Sequence, residues 1–269
     1  MKFLAGARTD KGIIRQNNED NFYVAEGDGI LLVADGMGGH ASGEVASKIA
    51  IDVIRDYFDG IKTGRELQVG RYCEEFSEAT NKIGSAVRLA NQAIYEASKG
   101  NPLWHGMGTT VAATLITGNR LSIAHVGDSR VYLVRAGDME QLTDDHSLVS
   151  EQVKRELITK EQAKESDIKN ILTRALGVNP EVEVDLDELA LLNGDILILC
   201  TDGLTTMVEE DEIVSVVTTT DDPDMACEKL ISMANENGGR DNVTVIVARA
   251  VKKRRWFHVL FNFREWFRR

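Results

Sequence analysis

The apolar positions along the 269 residues fall into two rhythms. Short runs bounded by glycine, aspartate or asparagine predict strands at FYVAE (22–26) and ILLVA (30–34). TTVAATLI, LSIAHV and VYLVR follow as three more, joined by short G-N-R and G-D-S segments into an antiparallel meander. DILILC (195–200) reads as a strand buried on both faces, and NVTVIVARAV (242–251) as the last strand. Helical spacing begins at Ser42, where Val45, Ile49, Val53 and Tyr57 recur with Ala46 and Ala50 beside them. A second long helix is expected over about 72–99, and two short ones over about 209–217 and 223–237. Residues 146–172 are polar and helical, with Thr159 and Gln162 at capping-box spacing. Strands cluster and helices come in pairs instead of alternating, which predicts an α+β fold of antiparallel sheets covered by helices.

Only three prolines interrupt this pattern, and it contains no Gly/Ser-rich linker and no repeat. The expectation is one domain over 1–251 and a short tail over 252–269. The net charge of −12 argues against nucleic-acid binding, which needs a basic footprint. It also raises a question for any phosphate chemistry, because an acidic protein needs something positive in its site. Cys73, Cys200 and Cys227 form no C-x-x-C pair and read as reduced thiols of a cytoplasmic protein. The start MKFLAGARTD is too short and polar for a signal peptide, and no apolar run nears the ~18 residues of a membrane span.

Three apolar runs end on a carboxylate. LLVADG places Asp35 there, IAHVGD places Asp128, and ILILCTDG places Asp202. Asp241 in NGGRDNVTVIV stands just before a strand, and RQNNED supplies Glu19 and Asp20. Any one of these aspartates could simply start a turn. Three strand ends with glycine alongside point to an assembled set, since a buried carboxylate is costly unless paired or metal-bound. The donors are all oxygen, which suits Mg²⁺ or Mn²⁺ and not zinc, and the spacing is not that of an EF-hand.

Gly36-Met-Gly38-Gly-His-Ala41 matches the dinucleotide fingerprint G-x-G-x-x-G/A, but Asp35 would face a pyrophosphate there. The acidic residue expected about twenty positions on falls inside a helical pattern. The glycines instead allow a tight turn that brings the Gly36 carbonyl near a metal. No G-x-S-x-G elbow or Walker A lysine occurs, and nothing near His40 and Ser42 completes a triad.

RQNNED, LLVADGMGGH, GMGTTVAATLI, AHVGDSRVYLVR, LTDDH, LTRALG, ILCTDGL and GGRDNVTVIV occur in that order over roughly residues 6–250. This set resembles the metal-dependent protein serine/threonine phosphatases of type 2C (PPM), in their bacterial form. The resemblance implies two antiparallel sheets packed as a sandwich, flanked on both sides by pairs of helices, with a helical flap at about 144–177. It implies that Asp35 bridges two ions, that Asp202 and Asp241 complete the first, and that the Gly36 carbonyl reaches the second, whose waters Glu19 and Asp20 hold. Asp128 would join Asp202 at a weaker third ion, and Arg15 would hold the substrate phosphate. The implied reaction is hydrolysis of phosphoserine and phosphothreonine by a hydroxide between two metals about 3.5–4 Å apart, with no protein nucleophile. The six carboxylates carry six negative charges, so divalent ions and Arg15 would answer the charge question.

The slot that holds histidine in many eukaryotic relatives is Met37 here, and His40 follows three residues later. His40 stands either as the acid for the leaving group or as an ordering residue. His146 is a weaker candidate for substrate contact, and the flap either sets substrate preference or is a solvated helical pair. The expected partners are phosphorylated proteins and a cognate serine/threonine kinase, with the chain itself a monomer. A non-catalytic signalling module that keeps the fold is the rival, disfavoured because every expected metal position retains its carboxylate.

The tail KKRRWFHVLFNFREWFRR carries a net charge of +6 and four of the eight Phe. As a helix it gathers Trp256, Val259, Leu260, Phe263 and Phe267 on one face. Three readings stand: peripheral contact with the inner face of a membrane, docking of a partner, or packing on its own domain.

Overall fold

The central strands carry apolar side chains on both faces, and both faces are covered. In the computed structural model, which describes residues 2–38, 42–65, 67–164 and 166–251, the strands form two antiparallel sheets. The first has the order β1 (Lys2–Asp10), β11 (Val243–Val251), β10 (Ile196–Cys200), β7 (Arg130–Arg135) and β8 (Asp138–Gln141). The second runs β2 (Asp20–Ala25), β3 (Ile30–Met37), β5 (Val111–Thr117), β6 (Arg120–Val126) and β9 (Asp185–Ala190), with β4 (Gly108–Thr109) beside the end of β3.

Alternation with a period of two divides each strand between layers. Leu31 and Val33 of β3 meet Leu197 and Leu199 of β10 and Ile246 and Ala248 of β11 between the sheets. Ile30, Leu32 and Ala34 face the other way, onto α1 (Ser42–Lys62) and α2 (Glu78–Gly100) through Ala46, Ala50, Ile54, Ile83 and Ile94. On the opposite side Ile198, Cys200, Val245 and Val247 pack on α5 (Asp202–Thr205), α6 (Glu210–Thr219) and α7 (Pro223–Glu236) through Leu204, Ile213, Val217 and Leu230. The outcome is the helix–sheet–sheet–helix sandwich that the resemblance implied.

Several elements differ from the sequence reading. β1 was not expected, because KFLAGARTD buries little beyond Phe3 and Gly6; its order comes from pairing with β11 over its whole length, Lys2 with Val251 through Asp10 with Val243. β9 was also missed, since DLDELA is a charged edge strand with Asp185 and Asp187 exposed, and such charge discourages pairing with another chain. The second long helix begins only at Glu78, with the Ser77 hydroxyl accepting from the Thr80 N–H at 3.4 Å. Among the described residues, the expected helical stretch 146–172 holds α3 (Leu148–Lys154) and α4 (Lys160–Lys164) as its helices, and Ser147 and Leu172 form an isolated β-bridge. Its capping box is present: the Thr159 N–H donates to Gln162 Oε1 at 2.8 Å and the Gln162 N–H to Thr159 Oγ1 at 3.3 Å. β3 runs past its expected end at Ala34 to Met37, because β4 pairs with Gly36 and Met37. The tail 252–269 and the residues 39–41, His40 among them, lie outside the described residues.

Candidate metal centre

The predicted acids arrive at one end of the sandwich because antiparallel pairing brings the start of one strand beside the end of its neighbour. Asp20 opens β2 and stands in register opposite Asp35 near the end of β3. Asp202 follows β10 and Asp241 precedes β11, which pair Cys200 with Val245. Asp128 lies in the tight connection between β6 and β7.

Period-two alternation also sets which way they face. Asp35 continues the inward row Leu31–Val33, and Asp20 continues the row Phe22–Val24. Thr201 and Thr244 extend the inner rows of β10 and β11 and meet Asp20 from the opposite sheet. Their hydroxyls donate to Asp20 Oδ2 at 2.9 and 2.7 Å. The apolar layer between the sheets therefore ends in a polar layer of acids and hydroxyls.

The backbone of Asp35 is held three ways. Its N–H donates to Thr110 Oγ1 at 2.9 Å, and its carbonyl accepts from the Thr110 N–H at 2.9 Å and the Thr109 hydroxyl at 2.8 Å. The Gly36 N–H donates to the Glu19 carbonyl at 3.2 Å, and the Glu19 N–H to Asn242 Oδ1 at 2.8 Å. Gly36 and Gly43 are required by close approach: a Cβ on Gly36 would collide with the Gly43 carbonyl, and one on Gly43 with Glu19 Oε2. Bare glycine at both places leaves the Glu19 carboxylate lying against the start of α1.

The acids act on one another electrostatically. Burial foremost, then the charges of Asp20, Asp202, Asp128 and Asp241, push the Asp35 carboxyl well above the usual carboxylate range. Asp20 rises to about 7 through burial, although the Thr244 and Thr201 hydroxyls oppose the rise. Burial and Asp202 lift Asp128 to about 7, and burial and Asp241 lift Asp202 to about 6. Glu19 is raised mainly by burial, against the pull of Arg15.

Divalent cations fit this set. Asp20 Oδ1 and Asp202 Oδ1 are buried with no hydrogen-bond partner, an expensive condition that a cation or its water would relieve. The donors are hard oxygens. Among the described residues no three His, Cys, Asp or Glu side chains converge as a ready cage, so main-chain oxygen and water would complete each shell, the habit of Mg²⁺ and Mn²⁺.

Arg15 is beside the acids, with its side chain 54% exposed, and donates from Nη2 to Asp241 Oδ2 at 2.7 Å. His146 is a correction: it is buried and holds the fold together. Its Nδ1 accepts from the Gly127 N–H at 3.0 Å, and its Nε2 lies 3.1 Å from Asp185 Oδ2. Sequence reasoning gave no role to Arg130 and Asp145, which form a two-pronged pair at 2.8 and 2.7 Å behind Asp128. Both lie in quoted motifs, AHVGDSR and LTDDH, and that was the available signal.

A two-sheet sandwich with carboxylates gathered at one end is the arrangement that the resemblance to metal-dependent phosphatases implied. The sequence pattern of the family Protein phosphatase 2C matches residues 12–236. The serine/threonine phosphatase stp of Listeria monocytogenes is 39% identical over 243 residues, spanning 89% of this chain and 93% of the relative. The crystal structure of the Mycobacterium tuberculosis serine/threonine phosphatase PstP/Ppp superposes with a TM-score of 0.83 at 36% identity, covering 94% of this chain and all of the other. The catalytic domain of PstP in complex with two manganese ions superposes with a TM-score of 0.80 at 36% identity over 93% and 99% of the two chains. The chain belongs to the protein phosphatase 2C family and is a protein phosphatase of that class.

Proposed function

We propose that this protein hydrolyses phosphoserine and phosphothreonine in proteins with Mn²⁺ or Mg²⁺ bound among its carboxylates. The observation that carries this reading is the meeting of Asp20, Asp35, Asp128, Asp202 and Asp241 at one end of the sandwich, with buried oxygens of Asp20 and Asp202 left unpartnered. The manganese complex of PstP supports the choice of metal. Asp35 would be shared by two ions, Asp202 and Asp241 would complete the first, and the Gly36 carbonyl would serve the second, with Glu19 and Asp20 holding its waters. Asp128 with Asp202 would hold a third. When bound, the ions would supply an acidified water and the positive charge that a phosphate dianion needs.

The chain's own residues do the rest. Asp20, clamped by two threonine hydroxyls from the other sheet, keeps the two halves of the site in register. Arg15, anchored on Asp241 through one nitrogen, presents its remaining N–H donors to a phosphate oxygen. Neither Cys200 nor Cys227 serves as nucleophile: burial pushes both up to about 12, and both lie in the outer apolar cluster.

The biological setting follows as part of the same proposal. A serine/threonine kinase would supply the substrates, and the protein would work in the cytoplasm. Among the described residues no helix is long and apolar enough to cross a membrane. β11 starts beside Asp241 and ends at Val251, roughly 27 Å further along at ~3.3 Å per residue. Val251 thus lies at the end opposite the acids, and contact of residues 252–269 with an anionic membrane is a further part of this proposal.

The test is hydrolysis of p-nitrophenyl phosphate with and without Mn²⁺. Turnover that requires the ion and disappears in Asp35→Asn is the expected result. A protein inert with every divalent ion would instead be a binding module.

A further inference from the structure

A groove of about 330 Å³ opens beside the metal centre, next to Met37. Backbone pairing fixes its place. Gly36 and Met37 pair with Thr109 and Gly108, and Thr109 exchanges two backbone hydrogen bonds with Leu176, at 3.1 and 2.8 Å. The chain after Arg174 is thereby tied to the strand end that carries Asp35. Met37 lies over Gly108, where a Cβ would stand 2.6 Å from Met37 Cε and 3.2 Å from Val178 Cγ2.

Met37, Ala175, Val178 and Val182 make the apolar part of the groove, and Val178 is 49% exposed. Glu181 and Glu183 stand exposed on its rim. The cation of this wall, Arg174, is already engaged. It pairs with Asp185, donates to the Glu183 carbonyl at 3.3 Å and approaches Glu183 Oε2 at 3.4 Å. Arg174 set against Asp185, Glu181 and Glu183 leaves two negative charges in excess.

An apolar floor under an acidic rim suits a long basic side chain, whose methylene stem lies on the floor while its head reaches the acids. The separation also suits a peptide. Met37 is two residues beyond Asp35, about 7 Å along the strand, and side chains on one side of an extended peptide repeat at the same interval. A residue about two positions from the phosphoamino acid reaches the groove when the phosphate sits at the acids.

We propose that this groove is a substrate subsite that selects phosphoproteins bearing lysine or arginine about two residues from the phosphoserine or phosphothreonine. The proposal rests on the phosphatase reading above. The substrate's basic head faces Glu181 and Glu183, and a glutamate at the same position is repelled.

The experiment compares phosphoserine peptides that differ at one flanking position, occupied by Lys, Gln or Glu and moved along the peptide. Phosphate release with Mn²⁺ gives kcat/KM, and p-nitrophenyl phosphate, which has no flanking residues, reports the reaction alone. At one position Lys should exceed Gln and Gln exceed Glu, with about three- to tenfold between the extremes, as expected for exposed ion pairs. Raising the salt should narrow the gap. Glu181→Lys, at an exposed position, removes both excess charges and should abolish the order. Indifference to the flanking charge alongside normal p-nitrophenyl phosphate turnover overturns the subsite and leaves the phosphatase reading intact. So does a lysine preference that survives both Glu181→Lys and Glu183→Gln. Absence of p-nitrophenyl phosphate turnover overturns both.

Discussion

Replacing Asp202 by asparagine should stabilise the metal-free protein while removing its function. Asp202 sits half-buried with Oδ1 unpartnered, and burial together with Asp241 lifts its carboxyl to about 6. The unfolded chain titrates near 3.9. Between these values the folded state binds more protons than the unfolded one, so stability falls as pH rises, and the loss is complete above about 6. Two pKa units correspond to about 3 kcal/mol for an isolated group. The titration that Asp202 shares with its neighbours reduces this to about 1–2 kcal/mol. In a domain of this size that is roughly 3–6 °C in Tm.

Scanning fluorimetry in EDTA at about pH 7.5 should therefore show Asp202→Asn melting above the parent. The gap should close as the pH falls through about 6 toward 4, where the parent carboxyl becomes neutral. Saturating Mn²⁺ should raise the parent by mass action, about 3 kcal/mol at a hundredfold excess over Kd, and raise the variant far less, so that the order inverts. A metal-free Asp202→Asn that melts below the parent at neutral pH, or a gap that widens on acidification, would refute the account of strained carboxylates.

Gly36→Ala should lower stability by at least the ~1–3 kcal/mol of an overpacked core, read as a fall in Tm, because the new Cβ meets the Gly43 and Glu19 carbonyls, which are backbone; a parental Tm would show that this turn yields easily. Arg15→Ala should cut kcat/KM for p-nitrophenyl phosphate by about tenfold or more, yet leave Mn²⁺ affinity by calorimetry equal or higher, since it releases Asp241 Oδ2 from a competing cation. Weakened Mn²⁺ binding would assign Arg15 to the metal shell instead. The full chain should co-sediment with anionic vesicles at low salt and a chain ending at Val251 should not; equal sedimentation of both would remove the membrane reading of the tail.

What the sequence made legible was local. An apolar run that ends on aspartate and glycine is visible in a window of six residues, so Asp35, Asp128 and Asp202 could be named from it. What it hid was set by distant partners. β1 is ordered by a strand some 240 residues away, and its own pattern is weak. Thr201 and Thr244 are ordinary strand-end residues until the two sheets face each other and both hydroxyls reach Asp20. Arg15 shows its attachment only once Asp241, 226 positions on, is beside it. His146 misled for the same reason: a histidine near acids in sequence resembles a site residue, yet Asp185 and the Gly127 N–H turn it inward.

The cost of the carboxylates explains why greasy strands carry them. A set of like charges on flexible loops would swing apart into water and hold nothing. Here Asp20 and Asp35 are further positions in rows already committed to the inter-sheet core by Phe22, Leu31 and Val33. Burying each such apolar side chain is worth roughly 1.5–3 kcal/mol, and withdrawing an acid would mean unpicking its row. The core thus supplies the force that keeps repelling groups together, and the free energy stored in that repulsion becomes available when cations neutralise it. A strand that ends on a carboxylate is the arrangement in which packing energy is converted into affinity for metal.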